Sequence, residues 1–195
     1  MTLRVFYAGE GRTELGSRAY IKQQQPKIPE TGVLEALVCA VAGTPCECVG
    51  AKVWKNLPAL RPGQGEGAVE QRRVDQLVLL AGEQNADVLV FARDRDGDKA
   101  REKSIEQGIT NAPKSVRVVG GVAIETIEAW ILALKGEHGS EELSNPKEHL
   151  KRRHDVDDTQ LKAEVVTNAN LDRVPEDARS LRLWLERARQ HLVPR

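Results

Sequence analysis

Residues 87–98 read Asp87-Val-Leu-Val-Phe-Ala-Arg-Asp-Arg-Asp-Gly-Asp98. Val88 to Phe91 is an apolar run with the length of one buried strand. It runs out into acids at alternate positions, Asp94, Asp96 and Asp98. Alternate side chains of an extended chain point the same way, so Asp94 and Asp96 are expected to aim two carboxylates at one point beyond the strand end. Gly97 permits a turn, and Asp98 is placed to cap a helix starting at Lys99. Clustered carboxylates repel one another unless a hard cation such as Mg2+ or Mn2+ neutralises them. An Asp/Gly-rich turn in solvent uses the same residues, so this stretch alone leaves both a metal site and a plain turn open. It is not an EF-hand: counted from Asp94, the sixth and twelfth residues are Lys99 and Ile105, where that loop needs Gly and Glu.

The pattern on either side of this strand sets the fold class. Upstream, strand-like runs cover 3–8 and 46–54, and helical patterns cover 33–42 and 68–84. The Pro- and Gly-bearing stretches 17–31 and 57–67 read as loops. Downstream come a charged helix over 99–108, a strand over 115–119 and a helix over 120–134. This alternation predicts an α/β fold, a Rossmann-like, mostly parallel sheet flanked by helices. Three charge-rich helices over 146–153, 158–167 and 176–190 then form a helical C-terminal extension. The expected division is an α/β domain over 1–135, the extension over 136–191, and Leu192-Val-Pro-Arg195 as the remnant of a cleavable tag.

Sites in parallel sheets form beyond the carboxyl ends of the strands. Glu10, between Gly9 and Gly11, follows the first strand, and Asp94 and Asp96 follow the third. Glu14 lies one helical turn past Glu10, so both can reach one cation; a simple helix start is the alternative. In the 120–134 helix, Glu128 falls within the stripe of Ile124, Ile127, Trp130, Ile131 and Leu134. A carboxylate there is costly unless it is paired, protonated or metal-bound. Glu125 lies on the neighbouring edge. Arg12, Lys99 and Arg101 are candidate phosphate contacts or solvated charges, and Lys147, Lys151, Arg152, Arg153 and His154 form a local basic patch.

Composition narrows the classes. The net charge is zero, which argues against holding nucleic acid by bulk electrostatics but permits a local groove. No apolar run suits a membrane span, and no signal peptide stands at Met1, so a cytoplasmic protein is expected. Cys39, Cys46 and Cys48 lack zinc spacing and read as reduced thiols. No two of the four histidines sit at ligand spacing.

Glu10-Gly-x-Thr-Glu14 after one strand, with Asp94-x-Asp96-x-Asp98 after a later one, resembles the TOPRIM fold of topoisomerases, bacterial primases and nucleases of the overcoming-lysogenisation-defect type. Glu125-x-x-Glu128-Ala-Trp-Ile-Leu-Ala is similar to the small stand-alone TOPRIM-like proteins of the DUF4276 group. The resemblance covers residues 1–135. It implies Mg2+ or Mn2+ held by Glu10, Asp94 and Asp96. By analogy with the nuclease branch it adds Glu14 as a further catalytic acid, two metal ions in all, and Asp98 as a helper. The implied activity is a metal-dependent nuclease acting on nucleic acid, DNA before RNA, with Glu128 and Glu125 as additional acids. The resemblance also implies phage defence beside an ATPase partner. A topoisomerase needs a tyrosine in a separate domain and a primase needs accessory domains, and the 195-residue chain has neither. The alternative is a non-catalytic subunit that keeps the scaffold and binds a partner protein. Haloacid-dehalogenase-like phosphatases also use Asp-x-Asp, but on their first strand.

Overall fold

The computed structural model of the chain describes residues 2–20, 29–58 and 66–193, the side chains of 66–68 excepted. Residues 21–28 and 59–65, within the loops expected over 17–31 and 57–67, and Pro194 and Arg195 of the supposed tag, lie outside the described residues.

Strands β1 (Arg4–Gly9), β2 (Glu47–Val53), β3 (Val88–Phe91) and β5 (Arg117–Val119) form one parallel sheet in the order β2-β1-β3-β5. The residues explain the pleat. Val5 and Tyr7 of β1, Val88 and Val90 of β3 and Val119 of β5 face one side. Phe6 and Ala8, Leu89 and Phe91, and Val118 face the other. Both faces are apolar, as a sheet covered by helices on both sides requires. Helices α3 (Glu66–Glu83) and α4 (Lys99–Asn111) supply Val74, Leu77 and Ile105 to the second face, where Trp54 meets Phe91 at 5.5 Å between ring centroids. On the first face lie α2 (Val33–Ala42), α5 (Ile127–Leu134), α7 (Thr159–Asn168) and α8 (Arg179–Leu192).

The chain leaves β1 toward α1 (Arg12–Leu15) and α2 on one face, and leaves β3 toward α4 on the other. Between β1 and β3 the connections therefore diverge, and the carboxyl ends of those strands are where a crevice forms in such sheets. There the β3–β5 pair is prolonged. After Ala92, β4 (Arg93–Asp94) pairs in parallel with β6 (Val122–Ala123).

This prolongation corrects the helix expected over 120–134. Residues 120–126 are β6 and its approach to α5, and the helix begins only at Ile127. The glycine pair Gly120-Gly121 weakens any helix start, and a Cβ at Gly120 would lie 2.2 Å from the Phe91 ring. Val122 and Ala123 gain a ladder with β4 instead, and Glu125 takes a left-handed φ of 62°.

The C-terminal helices are continuous with the core. Leu181, Trp184, Leu185 and Ala188 of α8 share one buried cluster with Val5, Val90 and Trp130. Trp184 is fully buried, donates its indole N–H to the Phe91 carbonyl at 3.1 Å, and lies 6.0 Å from Trp130. Buried Glu141 accepts the Ser180 and Leu181 amides and so caps α8. Leu192, assigned by its sequence to the tag remnant, closes α8 and is buried, whereas Val193 is exposed. The basic patch of helix α6 (Pro146–His154) is matched with acids: Arg153, His149 and His154 meet Glu137, Lys151 meets Asp157, and Arg152 meets Glu148.

A shared core predicts shared unfolding. Trp184→Ala should cost about 3–5 kcal/mol, as a large-to-small change in a sheet core does, and urea denaturation followed by far-UV CD and tryptophan fluorescence should show one transition. Two resolved transitions would make 136–191 an independent unit.

Candidate functional site

Four segments bring carboxylates to the crevice. β1 ends at Gly9, where a Cβ would lie 2.5 Å from the Glu14 Cβ, so only glycine lets α1 fold its acid back onto the strand end. Glu14 is buried and accepts the Gly11 amide at 2.8 Å. Glu10 accepts the Asp94 amide at 3.0 Å, which ties the end of β1 to β4, and forms an ion pair with Arg93. Partly buried Asp94 accepts the Ile127 amide at 2.9 Å and so faces the start of α5. Glu128, the next residue, is buried and accepts from Lys162 Nζ of α7 at 2.8 Å. Lys162 Nζ also lies 3.5 Å from Thr13 Oγ1.

The electrostatics follow from this crowding. Burial, then the neighbouring charges of Glu14, Glu128 and Asp96, push the Asp94 carboxyl up to about 8 against the stabilising Ile127 amide. Burial, with repulsion from Glu128, also raises Glu14, outweighing the Gly11 amide and Lys162. Burial would raise Glu128 as well, but the Lys162 ammonium reverses it and holds that carboxyl below its ordinary range. The cluster thus has one acid matched to a cation and two that resist ionising.

A cationic layer covers the outer side. Arg93 of β4 lies 3.7 Å from Asp96, 3.8 Å from Glu70 and 5.9 Å over the Trp54 ring. Arg101 of α4 donates to Asp96 at 2.9 Å and to the Asp94 carbonyl. Buried Glu70 of α3 accepts the Trp54 indole N–H at 3.0 Å and faces Arg73, Arg93 and Arg101. The Nε atoms of Arg93 and Arg101 are buried without hydrogen-bond partners among the described residues.

The structure therefore sorts the expected site residues. It brings together Glu10, Glu14, Asp94 and Glu128. Asp96 does not join Asp94: its φ of 48°, followed by 73° at Gly97, breaks the extended alternation and turns its half-exposed side chain toward Arg101. Asp98 caps α4, accepting the Ala100 amide at 2.9 Å and the Arg101 amide at 3.3 Å. Glu125 pairs with Arg95. Arg12 pairs with Glu30, and Lys99 is exposed. Among the described residues, no three Asp, Glu, His or Cys side chains stand ready to hold a metal ion. Arg93 and Lys162 occupy carboxylate oxygens of Glu10 and Glu128, and backbone amides occupy others.

Glu70, Arg93 and Lys162 were missed by sequence reasoning. Two of them carried a readable signal. Glu70 precedes Val74 by four and Leu77 by seven, and Lys162 follows Thr159 by three and precedes Val166 by four, so each falls on a buried helical stripe. Arg93 carried none, because nothing marks β4 as a strand.

Asp94 also sets a pH dependence. A carboxyl with a raised folded pKa keeps a proton that the unfolded chain releases, so stability falls as pH climbs from the unfolded value of about 4 to the folded one. In EDTA, wild-type Tm should decline between pH 5 and the folded value of about 8, and Asp94→Asn should flatten the decline and melt higher at its upper end. Superimposable melting curves across that range would show that Asp94 ionises freely in the fold.

No protein-family model, no curated protein and no solved structure matches the chain.

Proposed function

We propose that the chain is a metal-dependent phosphodiesterase that cleaves nucleic acid, DNA before RNA. The observation that carries this reading is Asp94: a carboxyl at the diverging strand ends, held up to about 8 by burial and by Glu14 and Glu128. A buried excess of negative charge is unstable on its own, and a hard divalent cation with oxygen ligands relieves it. Glu10, Glu14, Asp94 and Glu128 offer the carboxylate oxygens that such a cation takes, although among the described residues no three of them stand together ready to hold one. When bound, Mg2+ or Mn2+ would supply Lewis-acid polarisation of a phosphoryl oxygen and a water acidic enough to ionise near neutral pH.

The chain's own groups have separate parts in this reading. Asp94, with Glu14, would be the carboxylate that holds the cation. Glu10 and Glu14 hold the end of β1 against β4, so the donors arrive prearranged. Arg93 and Arg101 offer phosphate oxygens their guanidinium N–H groups. Asp96, on the rim, competes with phosphate for Arg101 and so keeps that arginine oriented before substrate arrives.

A second reading rests on a different observation. Arg93 and Lys162 already neutralise Glu10 and Glu128, which suits a non-catalytic subunit that binds a partner protein. The ATPase partner and the role in phage defence remain part of the proposal under either reading. Among the described residues, no helix is long and apolar enough to cross a membrane.

Cleavage separates the two. Plasmid, linear and single-stranded DNA, and RNA, are incubated with Mg2+, Mn2+ or EDTA. Wild type should cleave only with metal, and Asp94→Ala should lose at least about a hundredfold of that rate, the scale of removing a principal electrostatic group, while keeping its CD spectrum. Equal turnover by Asp94→Ala would refute the enzymatic reading.

A further inference from the structure

Three thiols converge where α2 ends and β2 begins. Cys39 stands in the last turn of α2 and is exposed, while Cys46, just before β2, and Cys48, within it, are half-buried. Between them the chain turns at Gly43, whose left-handed φ of 65° lets its amide cap α2 on the Cys39 carbonyl at 3.0 Å. The Cys39 thiol accepts the Cys46 amide. The Cβ of Cys46 is two bonds from that amide nitrogen, so the Cys46 side chain starts within reach of the Cys39 sulfur. Cys48 has other partners: its thiol lies 3.5 Å from the Gly50 carbonyl and meets the Arg18 guanidinium. Arg18 in turn pairs with Glu35 of α2 at 2.8 Å and lies 5.8 Å over the Tyr7 ring of β1.

Disulfide geometry selects among the three. Cys46 and Cys48 both pack against the core of the first face, as alternate residues of an extended chain do. Such residues stand about 6.6 Å apart with parallel Cβ vectors, too far for the roughly 3.5–4.5 Å between Cβ atoms that a disulfide spans. We infer that Cys39 and Cys46 are a reversible dithiol, a modification site that a low-molecular-weight disulfide such as oxidised glutathione closes into a Cys39–Cys46 bridge. The exposed Cys39 thiolate attacks one sulfur of the glutathione disulfide: a Cys39–glutathione S–S bond forms, the glutathione S–S bond breaks, and one glutathione leaves as thiolate and takes up a proton. The Cys46 thiolate then attacks the Cys39 sulfur and expels the second glutathione. The cysteines lose two electrons and two protons, and the glutathione disulfide gains them. Burial, then Glu35, raises the Cys39 thiol against the Cys46 amide and Arg18. Burial, then Cys39 and Glu35, raises Cys46. Thiolate is therefore scarce at neutral pH, and closure quickens as pH rises.

The full chain is equilibrated with mixtures of reduced and oxidised glutathione near the ordinary cysteine value of about 8.5, quenched with acid, alkylated, and read by intact mass and peptide mapping. Wild type should lose two hydrogens, with Cys39 joined to Cys46 and Cys48 alkylated, and dithiothreitol should reverse the change. The bridged chain should keep its CD spectrum and melt a few degrees above the reduced one, because the closed loop restricts the unfolded ensemble. Cys48→Ser should form the same bridge to the same extent, and Cys46→Ser should stop at the Cys39–glutathione mixed disulfide. A bridge to Cys48, a wild-type mixed disulfide that does not close, or no oxidation at all would overturn the inference. A bridged chain that melts below the reduced one would overturn it as well, since the fold would then not hold the two residues at disulfide geometry. If a serine variant does not fold, Cys46→Ala and Cys48→Ala give the same readouts.

Discussion

Carboxylates crowded into a half-buried crevice must be balanced by something, and the organisation of this protein's sheet end follows from how it meets that requirement. Each acid has a different solution. Glu128 takes a lysine, Glu10 takes an arginine and a backbone amide, and Glu14 takes an amide but remains crowded. Asp94 takes an amide and keeps a raised pKa. Desolvation disfavours charge wherever no cation compensates it, so the unbalanced remainder is concentrated on Asp94 and Glu14. That gradient gives the crevice its chemical character and distinguishes it from a solvated acidic loop.

The backbone that holds these acids is fixed by pairing. The ladder between β4 and β6 carries the β3–β5 pair past Ala92, and the Ile127 amide at the start of α5 meets Asp94. The amide of Asp94 itself reaches Glu10 on the far side of the crevice. One residue thus donates to the first strand's acid and accepts from the fifth helix. Substitution at Asp94 removes a carboxylate but leaves its amide bond to Glu10, which is why Asp94→Asn isolates charge from architecture.

The sequence made the fold class legible because β1 and β3 are uninterrupted apolar runs and their connecting helices are periodic. It misled where geometry departs from regularity. Asp94 and Asp96 look equivalent at alternate positions, yet a left-handed residue at Asp96 sends them to different environments. The helix expected from Gly120 reads smoothly by periodicity, but it ignores a two-residue ladder visible only in three dimensions. Glu128 was legible because it interrupts an apolar stripe. Glu70 and Lys162 interrupt stripes too, but weaker ones, set among charged neighbours that hide the period. Arg93 was illegible on physical grounds: a two-residue strand has no pattern.

Lys162 bears most directly on the C-terminal helices. By composition they are a charged appendage, and by packing they close the core around Trp184. Packing alone would only demand an apolar residue where α7 meets α5. Burying an ammonium there instead costs several kcal/mol before pairing, and a Leu or Met at that position would leave Glu128 uncompensated. The ammonium is therefore tied to the acid that α5 contributes at the strand ends. The helices beyond residue 135 share their core with the sheet and supply the charge that balances its carboxyl end.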